Sequence, residues 1–497
     1  MATKTGALAR ESTVETRDPD EFATVLKQSF KPRSDRAAKE VENAVTTLVR
    51  EALADTTVIK DDVLDTIEGM IARLDERLSA QVNEILHAPE FQQVESAWRG
   101  LHYLVFNSET DANLKIRVMN VSKSEIYRNL RLYPGARWDQ SPLFKAVYEA
   151  EFGQLGGEPF GCMVGDYYFS HQPIDVQLLR DLSKVFGSAH APFFAGADST
   201  LLGMDSWTEL ANPRDLGKVF DTPDYAAWKG LRDQDDSIYV GLCMPRVLSR
   251  LPYGAKSDPV EEFAFEEDTD GHKGEKYAWM NAAYAMAVNV NRAFKEWGWC
   301  TRIRGVQSGG EVINLPTHTF PTDDGGVDLK CPTEIAITDR REAELAKAGL
   351  IPLIHRKNTD RAAFIGAQSL YRAKSYQNNP LATASSNLSA RLPYMFAVCR
   401  FAHYLKCIVR DKVGSYYEKE QLHKWLTNWI SEYVDGDPVN STEATKCRRP
   451  LAGAAIQIVA NEENPGYYSA TFELRPHFQL EGMDIGLRLV SRLPVAK

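Results

Sequence analysis

The sequence predicts an α/β protein with a mixed, mainly parallel central sheet flanked by helices, an N-terminal helical region and a C-terminal antiparallel β-sheet. Three observations predict this class. Apolar residues recur at steps of three and four between residues 41 and 106, which is the period of helices. Short apolar runs alternate with a helical pattern between residues 159 and 245, as in βαβ units with parallel strands. After residue 450 the pattern changes to the two-residue period of strands.

Two helices that meet near Pro89 organise the first region. Pro89 suits the first position of a helix, and the residue before a proline is pushed toward extended geometry. Each helix has an apolar stripe, and because such a helix is marginal alone in water, each stripe needs a partner surface in this chain or another. The usual partner is the core of the same chain. The stripes are Ile67, Ile71, Leu74, Leu78, Val82 and Ile85, and then Phe91, Val94, Trp98, Leu101 and Val105.

Composition is typical of a globular protein and excludes several function classes. The 497 residues are enough for two or three domains, and a net charge of −10 argues against nucleic acid as the main partner. No apolar run is long enough to span a bilayer and the polar start lacks a signal sequence, so we expect a cytoplasmic protein without membrane insertion. Seven scattered cysteines without a Cys-x-x-Cys pair indicate reduced, mostly buried thiols.

The body of the chain, residues 111–380, alternates between predicted strands and helices. A right-handed crossover is expected wherever a helix joins two parallel strands. One helix is predicted to begin with Asp339 as its cap, with Glu342 three residues on, and to stop at Gly349. The predicted strands are residues 114–122, 159–169, 191–197, 237–245, 300–306 and 335–337, and the other long helices are residues 173–190 and 276–299.

The two ends of the chain are predicted to differ in secondary structure. Residues 381–497 are predicted as helices followed by three strands, 453–460, 467–476 and 483–493, with Ile485, Leu487 and Leu489 on one face of the last. A terminal strand leaves an unpaired edge that is either covered or paired with another chain, and self-coverage is the simpler outcome.

Residues 1–40 form a predicted flexible arm ahead of a helical region, residues 41–110. In the arm Phe22, Leu26 and Phe30 fit one side of a strand and, with Val25, one face of a helix packed on its own domain.

A search for chemistry finds no motif for phosphate binding, a nucleophile elbow or a helical metal pair. We therefore predict no cofactor and no metal. The best candidates for an enzyme with a site assembled from distant residues are Asp323, Asp324 and His318, although Gly325 and Gly326 favour a turn there. Lys446, Arg448 and Arg449 form a basic cluster in an acidic chain, and such a cluster is usually a solvated surface.

Seven blocks of sequence are similar, in order, to the large subunit of the type VI secretion contractile sheath, the TssC/VipB family. The similarity runs from about Phe22 to the C-terminus, but residues 1–20 match no part of the family and Gly486 replaces an expected serine. The blocks are QVNEILHAPEFQQVESAWRGLHYLV (81–105), GDYYF (165–169), DSWTELANPRDL (205–216), PRVLSRLPYGAK (245–256), GWCTRIRGV (298–306), FPTDDGGVDLKCPTEIAITDRREAELAKAGLIPL (320–353) and RPHFQLEGMDIGLRLVSRLP (475–494).

This resemblance implies a structural protein rather than an enzyme. Its implied partners are the small sheath subunit (TssB/VipA family), further copies of itself in a helical polymer, the inner-tube protein (Hcp family), the baseplate and a disassembly AAA+ unfoldase. It also implies that contraction of the polymer around the inner tube drives effector delivery. The implied inter-subunit strand contacts are Phe22, Leu26, Phe30, Ile485, Leu487 and Leu489, and the candidates that face the inner tube are Glu443, Lys446, Arg448 and Arg449.

Overall fold

The computed structural model describes most of the chain from residue 63 to residue 479. The described ranges are 63–212, 215–322, 324–377, 379–412, 419–460 and 468–479, preceded by the helical residues 36, 39, 41, 43 and 47. The chain divides into two compact units. The first contains the residues up to His87 together with Tyr253–Asp268, and the second contains Ala88–Pro252 and Thr269–Lys497. The predicted domain boundaries near residues 40, 110 and 380 stay predictions.

Apart from the helical residues 36, 39, 41, 43 and 47, the described part of the first unit is one long helix, α1 (Val63–Leu86), together with residues 253–268. Asn83 makes this connection. Its side-chain amide donates to the carbonyl oxygen of Glu266 at 3.2 Å and accepts from the backbone N–H of Asp268 at 2.9 Å. His87 lies 3.7 Å from the Glu267 carboxylate. The end of the helix therefore fixes the position of the segment.

The second unit begins with α2 (Pro89–Phe106). Ala88 is extended, with φ −63° and ψ 129°, and Pro89 occupies the start of the helix, so the predicted helix break at residues 87–89 is confirmed. The proline needs no hydrogen-bond acceptor at this position, which is why it can begin the helix without loss. The sequence also places five large apolar residues on α2, and their location is described with the candidate surfaces below.

A six-stranded sheet forms the centre of the second unit, in the order β1-β2-β3-β9-β10-β6. The neighbours from β1 to β9 are parallel and the last two pairings are antiparallel, which confirms the predicted mixed, mainly parallel sheet. The strands are β1 (Met163–Phe169), β2 (Phe193–Ala197), β3 (Val240–Met244), β6 (Glu311–Val312), β9 (Leu350–His355) and β10 (Ala362–Phe364).

Successive residues of the strands face two separate cores. Phe193 of β2 packs in a core with α5 (Pro173–Ser188), whereas Phe194 packs in a core with α8 (Ala282–Trp297). Leu350 and Ile351 of β9 divide in the same way. Because side chains alternate across a strand, helices cover both faces of the sheet. This arrangement confirms the predicted βαβ body.

The remaining elements are antiparallel strand pairs and further helices, and the first half of the longest of these helices, Leu392–Lys412, is largely buried. None of the helices in the described residues is long and apolar enough to cross a membrane. The elements are α3 (Lys123–Arg131), α4 (Pro142–Phe144), α6 (Leu216–Val219), α7 (Ala226–Arg232), α9 (Asp339–Lys347), α10 (Pro380–Ser389), α11 (Leu392–Lys412), α12 (Lys419–Ser431), α13 (Glu443–Arg448), β4 (Val247–Leu248), β5 (Trp279–Met280), β7 (His318–Pro321), β8 (Val327–Lys330), β11 (Leu451–Ala460) and β12 (Tyr468–Pro476).

The prediction of a strand at residues 114–122 is wrong, because this segment pairs with no strand of the described chain. Its alternation has another cause. Lys115 forms an ion pair with Glu158, and Arg117 forms ion pairs with Glu151 and Glu158. The alternating charges thus serve side-chain ion pairs on an extended segment, while the apolar residue between them, Ile116, packs beside α2.

Two further predicted strands, residues 300–306 and 335–337, are also absent from the described structure. In the first, Ile303 is fully buried but Gly305 turns the chain with φ 76° and donates its N–H to the carbonyl oxygen of Phe364 at 2.7 Å. Burial alone therefore produced the strand-like pattern. The second leads directly into α9, whose cap is Thr338 rather than the predicted Asp339.

A buried histidine on α11 predicts acid sensitivity. His403 is 2% exposed and donates through Nε2 to the carbonyl oxygen of Ala189 at 2.8 Å. Burial, helped by the nearby positive charge of Arg400, lowers the pKa of His403 to about 4. The unfolded chain takes up this proton near pH 6.5, so stability should fall as the pH drops from 6.5 toward 4, by up to about 3 kcal/mol.

His403→Gln should remove this part of the pH dependence, since an amide can donate the same hydrogen bond without titrating. The measurement is the thermal unfolding midpoint of both proteins at pH 7.5 and pH 5. An equal fall in both midpoints would contradict the assignment of the effect to His403.

Candidate interaction surfaces

The four charged residues predicted to face an inner tube lie on and beside α13. The hydroxyl of Thr442 accepts from the backbone N–H of Thr445 at 3.3 Å and caps this helix. Cys447 points inward and is 8% exposed. Three of the predicted residues are exposed and one is half-buried: Glu443, Arg448 and Arg449, and Lys446. Glu443 also lies 3.9 Å from Arg302.

A buried carboxylate anchors α13 to the end of β12. Asp435 is 5% exposed, accepts from the Ser441 hydroxyl at 2.8 Å and lies 3.7 Å from Nε2 of His477. His477 in turn donates to the carbonyl oxygen of Arg449 at 3.0 Å. Burial would raise the pKa of Asp435, but the Ser441 hydrogen bond and the charges of His477 and Lys446 hold this pKa below its ordinary value. These contacts therefore fix α13, and the basic cluster that it carries, to the end of β12.

The terminal sheet has two described strands, β11 and β12, which pair in antiparallel register from Leu451–Pro476 to Ala460–Tyr468. The predicted antiparallel pair is confirmed. Ile456 and Ile458 of β11 pack on α12, and within residues 419–460 and 468–479 β12 has no second neighbouring strand. The predicted contact residues Phe22, Leu26, Phe30, Ile485, Leu487 and Leu489 lie outside the described residues, and their role stays a prediction.

A second surface, which the site prediction did not include, is the outer face of α2. We call it the α2 seam. Its side chains are large, apolar and exposed, with Trp98 at 69%, although an intrachain core was the usual expectation. That expectation is wrong for this stripe. The α2 seam consists of Phe91, Val94, Trp98 and Val105, with Phe106 beside it.

Small residues on the inner face of α2 explain why its large residues point outward. Gly100 lies against the ring of Tyr284 on α8, so closely that a Cβ atom would be 2.3 Å from the ring. Ser96 donates to the carbonyl oxygen of Trp279, and Leu104 packs between these contacts and the segment before α3. The inner face needs little volume because the aromatic side chains of the body already fill it.

A buried ion pair holds α2 in place. Nε of Arg250 lies 2.6 Å from Oε1 of Glu95, and Nε of Arg99 lies 2.9 Å from the same oxygen. Burial would raise the pKa of Glu95, but hydrogen bonds and charge from Arg250 and then Arg99 keep this pKa below its ordinary value of 4.5. The carboxylate is thus ionised near neutral pH and fixes the helix on the body.

The spacing of the α2 seam identifies its kind of partner. Residues 91, 94, 98, 101 and 105 are separated by alternating steps of three and four, as in the a and d positions of a coiled coil. Large apolar side chains exposed next to one another mark protein interfaces. The α2 seam therefore fits an apolar helix, and the regular alternation of steps was the signal available in the sequence.

The residues of the enzyme alternative do not form a site in the described structure. Asp324 accepts from the Thr322 hydroxyl and the Gly326 N–H within the turn between β7 and β8. His318 pairs with Lys330 at the other end of this hairpin and hydrogen-bonds to Tyr277. Asp323 lies outside the described residues. No group of three or more His, Cys, Asp or Glu in the described chain is placed to hold a metal ion.

Two family models match consecutive parts of the chain. Residues 68–371 match the EvpB/VC_A0108 tail sheath N-terminal domain, and residues 381–493 match the EvpB/VC_A0108 tail sheath gpW/gp25-like domain. The type VI secretion system sheath protein TssC1 of Pseudomonas aeruginosa is 62% identical over 482 residues, which cover 97% of each chain. A chain of the anti-feeding prophage baseplate aligns over 77% of this chain and 84% of its own, with a TM-score of 0.38 and 10% identity.

Proposed function

Because this chain belongs to the EvpB/VC_A0108 tail sheath family, we propose that it is the large subunit of a type VI secretion contractile sheath. The chain pairs with a small sheath subunit and polymerises with further copies of itself into a helical tube around an inner tube. The observation that carries this proposal is the α2 seam, because it lacks a partner within the described chain and has the spacing of a helix interface.

The proposed mechanism is mechanical and needs no cofactor. Subunits assemble in an extended lattice of higher free energy, and contraction is a cooperative shift to a tighter one that drives effector delivery. Head-to-tail contacts that do not close into a ring generate such a filament. Within the described residues β12 pairs only with β11, and this supports a role for added strands between subunits, with Ile485, Leu487 and Leu489 as the contact residues.

The remaining partners follow from the same proposal. Arg448 and Arg449 are exposed, and the His477 contact fixes the backbone that carries them. In this proposal they face the inner tube together with Glu443 and Lys446. The polymer begins on a baseplate in the cytoplasm, and a separate AAA+ unfoldase supplies the energy for recycling. Nucleic acid is not a partner, since the chain has a net charge of −10.

Negative-stain electron microscopy of this chain alone and co-expressed with a small sheath subunit tests the function. We expect hollow, striated tubules only on co-expression, because each chain alone leaves its interface apolar and exposed.

Ile485→Asp should prevent tubules by placing a charge in the strand contact. With the inner-tube protein added, the pair Arg448→Glu and Arg449→Glu should leave the tubules empty. Monodisperse globular particles in both samples would exclude the sheath function.

A further inference from the structure

We propose that a groove on the first unit, between α1 and residues 264–266, holds residues 22–33 of the same chain before assembly. The groove lies wholly within the first unit and encloses about 460 Å³. Its floor is apolar and consists of Ile71, Ala72 and Ala264. Ile71 is 47% exposed, so the floor has room for an apolar side chain. We call this feature the acidic groove.

The rim of the acidic groove carries only negative charge. It is formed by Glu68, Asp75, Glu76 and Glu266. Arg73 and Arg77 of the same helix fall on another side of it by helical spacing. An apolar floor between four carboxylates selects a segment that combines apolar and basic residues.

The wall opposite α1 is held in position by hydrogen bonds. The carboxylate of Glu266 accepts from the backbone N–H of Ala255 at 3.0 Å, and Asn83 binds the backbone of Glu266 and Asp268. The acidic groove is thus formed before any segment enters it. A preformed groove avoids part of the ordering cost of binding.

Charge in this protein is concentrated in the unit that carries the groove. Residues 63–87 and 253–268 contain eleven acidic and three basic residues, a net charge of −8 out of −10 for the whole chain. Like charges gathered in 41 residues repel one another, and a basic segment relieves that repulsion. The occupant should therefore be strongly basic.

Residues 22–33, FATVLKQSFKPR, have the required character. Lys27, Lys31 and Arg33 are their only charged residues, which makes the segment basic in an acidic chain. Four apolar side chains accompany them and suit the apolar floor: Phe22, Val25, Leu26 and Phe30. The basic cluster on α13 fits less well, because Cys447 and Pro450 beside it are already buried.

The same chain is the source because it is tethered. Residues 34–62 connect the segment to α1, so its docking is intramolecular and does not depend on protein concentration. The segment of a second copy would have to bind from solution. The segment of the same chain therefore fills the acidic groove first.

One consequence rests on the proposed function. Phe22, Leu26 and Phe30 are the residues proposed to pair with neighbouring subunits in the polymer. If the acidic groove holds them until assembly, an unpaired strand is not exposed in the free subunit, where it would promote aggregation. Assembly then exchanges a contact within one chain for a contact between chains.

Hydrogen exchange of the dilute full-length chain tests the docking without any tubule or partner. The groove variant combines Glu68→Lys and Asp75→Lys, the segment variant combines Lys27→Glu and Lys31→Glu, and the swap combines all four. The amides of residues 68–79 should exchange about tenfold faster in either single set, since a few charge pairs and one apolar contact are lost. The swap should restore most of the protection.

A matched control reverses two exposed acidic residues of the second unit, Asp139→Lys and Glu149→Lys, and should leave residues 68–79 unchanged. A second measurement uses a labelled synthetic peptide of residues 20–34. The peptide should bind the segment variant, whose groove is vacant, but neither the wild-type chain nor the groove variant. Unchanged exchange in both variants, no recovery in the swap, or protection that rises with protein concentration would overturn the proposal. Tubules can form in any of these cases, so the two proposals fail separately.

Discussion

Trp98→Asp should abolish the proposed pairing of this chain with a small sheath subunit through the α2 seam while leaving the chain folded. Trp98 is 69% exposed, so its removal costs the free chain little. In the complex the substitution removes a large aromatic contact and places a charge in an apolar seam. Losses of this kind at the centre of an interface cost at least about 3 kcal/mol, which is more than a hundredfold in affinity.

Co-purification of the tagged small subunit with each variant measures this effect, and the thermal unfolding midpoint of the free chain checks its folding. Gln93→Asp is the matched control, because it introduces the same charge at an exposed position of α2 outside the α2 seam. It should bind normally. Normal binding by Trp98→Asp would remove the α2 seam from the interface, and with it the main support for the proposed function.

Arg250→Met should have the largest effect on stability. Arg250 and Glu95 have side chains only 5% and 8% exposed, and Arg99 alone replaces part of the lost charge. Removing one partner of a buried ion pair costs about 3 to 5 kcal/mol, and because Arg99 still contacts Glu95 the loss should lie near the lower end, about 3 kcal/mol. The measurement is urea unfolding of the full-length chain, monitored by the change in tryptophan fluorescence.

The double variant Arg250→Met with Glu95→Leu separates charge from packing. It should recover a large part of the loss, because no carboxylate then remains buried without its partner. If the double variant is as unstable as Arg250→Met, the effect comes from lost packing and not from the ion pair.

The sequence predicted most of the parallel sheet because those elements are regular, and two of the strands, β2 and β3, are buried on both faces. Residues 163–169, 193–197 and 240–244 are short apolar runs, and α5 and α8 have clear helical periods. The absent strand at residues 114–122 was predicted from a local alternation of apolar and charged residues. In this segment the charged residues Lys115 and Arg117 serve side-chain ion pairs, which depend on Glu151 and Glu158 far along the chain. Local pattern cannot distinguish these two causes of alternation.

The candidate surfaces could be predicted only in part. The basic cluster of α13 was identified as a local excess of charge, but its anchor, Asp435 with His477, joins residues 42 positions apart and was not apparent. The apolar stripe of α2 was predicted, but the sequence does not show whether this stripe or the opposite face of the helix packs on the rest of the second unit. Gly100 and Ser96 decide this through their contacts with Tyr284 and Trp279, which only the fold brings together.

Gly100 also gives position 100 a remote influence over the α2 seam. Any side chain there would meet the buried ring of Tyr284 at 2.3 Å, and since that ring is only 8% exposed it has little space in which to turn away. The helix itself would have to shift outward and carry Trp98 with it. A substitution at this interior glycine can thus disturb an exposed apolar surface that the glycine does not itself form.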